Sequence, residues 1–267
     1  MDTGKGLLEG KVALVTGAST GIGKAVAVGL ARQGAVVGLV ARSREALEAA
    51  CAEVRSCGAE ARAFAGDTAD QGFARRVVEE MAGLRGGIDI LVISAGTNTF
   101  HRNIADISGG DWRRVMDTNV TGAFLFAREV LRPMRKAGRG QDITITSAAG
   151  LAPSAPAGVA YSASKHALQS LTSSINLEER RHGIRACAVA PGETDTPNLD
   201  LRPRPPSREA LDRMLRPEDV AAAVLFALTQ PDHVSVELIV VNPTERRNYQ
   251  ADYERYVAEG HTEVPPD

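Results

Sequence analysis

Short runs of consecutive apolar residues alternate along this chain with longer stretches in which apolar side chains recur every three or four positions. The short runs predict seven strands, at residues 12–16, 36–40, 61–65, 90–94, 143–146, 185–190 and 237–241. The longer stretches predict helices. Over residues 22–33, Ile22, Val26, Gly29 and Leu30 share one face, and over 44–56 Leu47, Ala50 and Val54 do. Strand, helix and strand in repetition imply an α/β fold: a doubly wound parallel sheet of about seven strands with helices on both faces. There is no internal repeat. The proline-rich residues 201–207 suit neither a helix nor a central strand and read as a loop.

The 267 residues, 43% of them hydrophobic, are enough for one large core, so a single domain over 1–267 is expected. Its core spans about 8–242, and the polar stretch 243–267 is either a frayed tail or an arm against a neighbouring subunit. The formal net charge is −2 and the basic residues are scattered, which argues against nucleic acid or an anionic membrane as partner and for a small molecule. Residues 1–11 have no signal-like apolar core, and the longest apolar run, 221–228, is too short for a bilayer; a cytoplasmic protein is expected. Cys51, Cys57 and Cys187 lack metal-type spacing and read as reduced packing residues. The five histidines are dispersed, so no metal is expected.

Chemistry enters after the first strand, where Gly17-Ala18-Ser19-Thr20-Gly21-Ile22-Gly23 leads directly into a helix. Glycines let the backbone approach a pyrophosphate, and the helix start offers free N–H groups and partial positive charge. A tight strand-to-helix connection is the plainer alternative. In dinucleotide folds an acid about 20 residues further on binds the adenosine ribose 2′-hydroxyl. The second strand instead ends Ala41-Arg42-Ser43. Arg42 would meet a 2′-phosphate there, with Ser43 able to donate a hydrogen bond, which favours NADP(H) over NAD(H). The alternative is that Arg42 merely solvates a helix start.

Tyr161 and Lys165 stand four apart at the opening of a helical stretch that runs to about residue 180, and so share a face. An ammonium beside the phenol, together with an oxidised nicotinamide, favours phenolate, so Lys165 would tune and Tyr161 would transfer the proton. Ser147 follows a strand at the edge where open α/β sheets bind ligands, and its hydroxyl suits a substrate oxygen. Taken singly, these residues could equally be a surface pair and a turn serine.

TGASTGIG, Asn119 in MDTNVTGAF, Ser147 in ITSAAG, YSASK and PGETDT occur in one order over about 8–242. This combination resembles the short-chain dehydrogenase/reductase family. The resemblance implies a Rossmann-type fold and a catalytic tetrad: Tyr161 as general acid/base, Lys165 lowering its pKa and binding the nicotinamide ribose, Ser147 orienting the substrate oxygen, and Asn119 holding a water for proton relay. It further implies that Asp67 and Thr68 border the adenine, that Ala95 and Gly96 pass the cofactor ribose, and that residues 191–196, with Pro191, Gly192, Thr194 and Thr196, wrap the nicotinamide end. The expected activity is hydride transfer between NADP(H) and a ketone or secondary alcohol. A 3-oxoacyl reductase, a dehydrogenase of small hydroxy acids or alcohols, and a non-catalytic NADP(H)-binding regulator are the competing forms. A homodimer or homotetramer is expected.

Two departures stand out. Ile93-Ser94 replaces the family's usual Asn-Asn, so either Ser94 substitutes in part for the missing amides or the cofactor binds less tightly. The chain also reads Val241-Asn242-Pro243 where many members have Val-Asp-Gly-Gly, an ending similar to a branch acting on small polar hydroxy compounds. Residues 198–215 should lie over the substrate, and Arg202, Arg204, Arg208 and Arg213 there either pair with an anionic group or are scattered surface charges.

Overall fold

The structure, a computed structural model, describes residues 6–154, 156–202 and 206–245. Seven parallel strands form one sheet in the order β3-β2-β1-β4-β5-β6-β7. They are β1 Val12–Thr16, β2 Val36–Ala41, β3 Ala61–Ala65, β4 Ile90–Ile93, β5 Gly140–Ile145, β6 Ile184–Pro191 and β7 Leu238–Val241. Every residue of β1, β2 and β4 is buried, because helices cover both faces of a parallel sheet. On one face lie α1 (Gly21–Arg32), α2 (Arg44–Ser56) and α8 (Pro217–Leu228), around Val26, Leu47, Val54 and Val224. On the other lie α3 (Gln71–Arg85), α5 (Gly122–Ala137) and α6 (Val159–Glu179), around Phe73, Met81, Phe126 and Leu168.

The predicted order of elements is the observed one, and all but one of the strand ends lie within one residue of the predicted position. The larger difference is β5, which begins at Gly140 rather than 143. It therefore includes Asp142, a carboxyl only 2% exposed whose Oδ1 accepts from the Thr144 hydroxyl at 3.0 Å. Both Cys51 and Cys187 are buried free thiols, and burial followed by the nearby Asp142 pushes Cys187 up to about 12. No helix among the described residues is long and apolar enough to cross a membrane. Arg204 and residues 246–267, most of the expected tail or arm, lie outside the described residues.

Strand order reverses between β1 and β4, so loops leaving these two strands diverge and open a crevice at their carboxyl ends. Helix α4 (Gly109–Met116) runs into α5 through a π-turn, Asp117–Thr121, which places Asn119 against the loop after β4. Gly122 permits this path, because a Cβ there would come within 2.7 Å of Thr68 Oγ1.

Candidate active site

The crevice is a cleft of about 850 Å³. One wall begins at the turn between β1 and α1. Gly17 takes φ +67°, and a Cβ on it would stand 2.7 Å from the Ala95 backbone; a Cβ on Gly23 would stand 2.2 Å from the Gly17 carbonyl oxygen. Only bare backbone lets the turn and the start of α1 pack this closely. Thr20 makes no side-chain cap and the first turn of α1 carries no acid, whereas α2 and α3 are capped by Ser43 and Asp70. The opening amides of α1 are thus left for an anion facing the cleft. Ser19, Thr20, Gly21, Ile22 and Gly23 line it.

At the end of β2, Arg42 is exposed, lines the same cleft and has no ion-pair or hydrogen-bond partner among the described residues. Ser43 accepts from Ala46 N at 3.4 Å, which leaves its own hydroxyl hydrogen available. Thr68 lines the cleft beside them, but Asp67 does not: its carboxylate turns back to accept from Ala69 N at 2.9 Å.

Across the cleft, the loop after β4 is braced from a side the sequence did not indicate. The Thr16 hydroxyl accepts from both Ser94 N, at 3.1 Å, and Ala95 N, at 3.3 Å. The stabilisation expected from the Ser94 side chain thus comes at least partly from Thr16, through the Ser94 main chain. Ala95 and Gly96 follow along the cleft wall. Asn119, wholly buried, holds the next residue from both sides: Oδ1 accepts from Thr97 N at 2.7 Å, and Nδ2 donates to Thr97 O and to Ser164 Oγ, each at 3.0 Å. Ser164 Oγ in turn donates to Tyr161 O at 2.7 Å. Asn119 does not line the cleft; it ties the β4 loop to α6 from behind.

Tyr161 and Lys165 are one turn apart on α6, and Lys165 Nζ lies 5.5 Å from the Tyr161 ring centroid. Lys165 is 4% exposed and donates to Ile145 O at 2.8 Å, so β5 fixes its ammonium. Ser147 lines the cleft with Tyr161 and its side chain favours ionisation of the phenol; Ser147 Oγ also accepts from Ala149 N at 3.2 Å and so starts a short 3₁₀ turn after β5. Burial pushes the Tyr161 phenol above its ordinary value, outweighing the Ser147 hydrogen bond and the Arg202 and Arg102 charges that favour ionisation. Burial also brings the Lys165 ammonium down to about 8.

Pro191, Gly192, Thr194 and Thr196 form the far wall. The end of β7 reaches this wall: a Cβ on Gly192 would stand 2.6 Å from Asn242 Oδ1, and Asn242 and Pro243 line the cleft. Of the segment thought to overlie the substrate, Asn198, Leu199, Leu201 and Arg202 line it, with Arg202 paired to Glu193 at 2.5 Å. Arg208 is exposed and outside the cleft, and Arg213 pairs with Glu209 and Glu245 at 2.6 and 2.7 Å. Thr97, Asn98 and Arg102 complete the substrate end and were not anticipated; their signal was position, just beyond the carboxyl end of a strand beside the order reversal.

Comparison with known proteins agrees with this geometry. The short chain dehydrogenase family model matches residues 11–204. Over 230 residues the chain is 36% identical to an uncharacterized oxidoreductase of Thermotoga maritima, covering 82% of this chain and 90% of that protein. Over 253 residues it is 36% identical to glycine betaine reductase of Emericella nidulans, covering 90% of this chain but spanning only 19% of that much longer protein. A crystal structure of a metagenomic short-chain oxidoreductase in complex with NADP superposes with a TM-score of 0.78 at 33% identity, covering 90% of this chain and 100% of that one. The chain belongs to the short-chain dehydrogenase/reductase family of oxidoreductases, which use NAD(P)(H).

Proposed function

We propose that this protein is an NADP(H)-dependent oxidoreductase that interconverts a ketone and a secondary alcohol. The observation that carries the reading is the meeting of Tyr161, Lys165 and Ser147 at the wall of one cleft, with Lys165 Nζ 5.5 Å from the Tyr161 ring centroid. When bound, the nicotinamide supplies the hydride. The protein's part is to hold and protonate the oxygen. Ser147 and Tyr161 present two hydroxyls to one carbonyl oxygen, and Tyr161 gives up its proton as negative charge develops there. Lys165, anchored on Ile145 O, holds the nicotinamide ribose and offers positive charge beside the phenolate left behind. Asn119 keeps Thr97 and α6 in register, and the π-turn in its helix is where a relay water would bind to return a proton to Tyr161.

The preference for NADP(H) follows from Arg42, an exposed guanidinium with no partner among the described residues, where β2 offers no acid to a ribose 2′-hydroxyl. The NADP complex of a related chain supports it. Fluorescence titration of wild type and Arg42→Ala with NADPH and NADH tests it. Arg42→Ala should weaken NADPH about 10- to 100-fold and NADH by less than about 3-fold, as expected for a lost charge-assisted bidentate contact. Equal weakening of both nucleotides would refute the phosphate role.

A further inference from the structure

The substrate end of the cleft contains a buried arginine that the mechanism above does not use. Arg102 is 9% exposed and lines the cleft. Its guanidinium is held by main-chain carbonyls from three separate loops: Nε donates to Thr99 O at 2.8 Å, one terminal nitrogen to Pro156 O at 2.6 Å and the other to Leu201 O at 2.7 Å. The backbone is built around it as well. Val159 N donates to Arg102 O at 3.0 Å, and Gly158, at φ +81°, leads into α6 where a Cβ would strike Arg102 Cβ at 2.5 Å. The arginine is therefore fixed to the entry of the helix that carries Tyr161.

All three acceptors are neutral. Among the described residues no carboxylate pairs with Arg102; the larger charge effect on it comes from a second cation, Arg202, whose own carboxylate partner is Glu193, and the opposing one only from the Tyr161 phenol when ionised. A guanidinium has five N–H groups, so two remain after these three bonds, one on each terminal nitrogen. A buried charge with no counter-charge is costly, and an anionic ligand group would offset that cost while a neutral one would not. The field at Tyr161 has the same sign, since the two charges acting on its phenol are both guanidinium groups, those of Arg202 and Arg102.

We infer that Arg102 makes this enzyme selective for carbonyl substrates that carry a carboxylate, the guanidinium binding the carboxylate while Tyr161 and Ser147 bind the ketone oxygen. This rests on the reductase reading and deepens it. An arginine that only tied three loops together would show the same three carbonyl bonds, so the test must separate charge recognition from scaffolding.

The experiment is NADPH consumption by wild type, Arg102→Lys and Arg102→Gln with a series of oxo acids that differ in the spacing between ketone and carboxylate, each beside its methyl ester and a neutral ketone of similar size. Circular dichroism and NADPH titration of each variant check that the fold is kept. The inference predicts that wild type prefers one or more acids over their esters by about 100-fold in kcat/KM, from a charge-assisted bidentate contact. It further predicts that Arg102→Lys keeps a reduced preference and that Arg102→Gln lowers the acid far more than the ester. Esters and neutral ketones turned over by wild type as well as the acids throughout the series would overturn the inference and leave the reductase reading standing, whatever the variants do. Acid and ester falling in equal proportion in Arg102→Gln would also overturn it, by making Arg102 a scaffold. NADPH binding with no carbonyl reduced at all would instead overturn the reductase reading on which the inference rests.

Discussion

Asp142→Asn should abolish a pH effect built into the strand that carries the site. Asp142 sits in β5, two residues before Thr144 and five before Ser147, and burial raises its carboxyl from 3.8 to about 7 despite the Thr144 hydrogen bond. A carboxyl whose native pKa exceeds its unfolded one is protonated more readily in the folded chain. Its contribution is fully present below about 3.8, drains away as the pH rises, and is gone above about 7. At about 1.4 kcal/mol per unit, the whole effect is on the order of 4 kcal/mol, and the part lost above pH 5 is about 3 kcal/mol. Asparagine keeps the volume and an acceptor for Thr144 but cannot ionise. Urea unfolding of both proteins at about pH 5 and pH 8 measures the difference, and the other titrating groups cancel in the comparison. The variant should gain about 3 kcal/mol on wild type between the two pH values. An unchanged gap, or one that moves toward wild type as pH rises, would refute the reasoning.

Two further substitutions test how the site is held. Asn119→Ala removes three buried hydrogen bonds and leaves the Thr97 amide and carbonyl without their partner, so it should cost about 3 kcal/mol by urea unfolding and lower turnover with it. Gly23→Ala drives a Cβ toward the Gly17 carbonyl and should weaken NADPH at least about 10-fold by fluorescence titration, whereas Gly83→Ala, in an exposed part of α3 with nothing within 4 Å, should leave NADPH affinity unchanged and stabilise the fold by about 1 kcal/mol.

Local pattern revealed most of the fold, and physical reasons explain the exceptions. Strands such as β1 and β2 are uninterrupted apolar runs because both their faces are covered, and such runs are visible without any partner. The start of β5 was hidden because Asp142 breaks that pattern; its burial depends on the helices packed above it, not on its neighbours in sequence. Tyr161, Lys165 and Ser147 stand at recognisable spacings, and the structure brings them together. Thr16 and Arg102 do not stand out. The partners of Thr16 lie 78 and 79 residues away, and those of Arg102 are carbonyls at Thr99, Pro156 and Leu201, a grouping only the closed sheet creates. Burial of Tyr161 and Lys165, which raises the phenol and lowers the ammonium, is likewise invisible in the sequence.

The central claim, that Tyr161 is the proton donor of an NADP(H)-dependent carbonyl reductase, is tested most directly by Tyr161→Phe, with NADPH binding and NADPH consumption followed in the same samples. Turnover should fall by about 1,000-fold or more while NADPH affinity changes by less than about 3-fold, since the phenol contributes to proton transfer and little to the phosphate-side contacts. A Tyr161→Phe protein that consumes NADPH as fast as wild type would contradict the account.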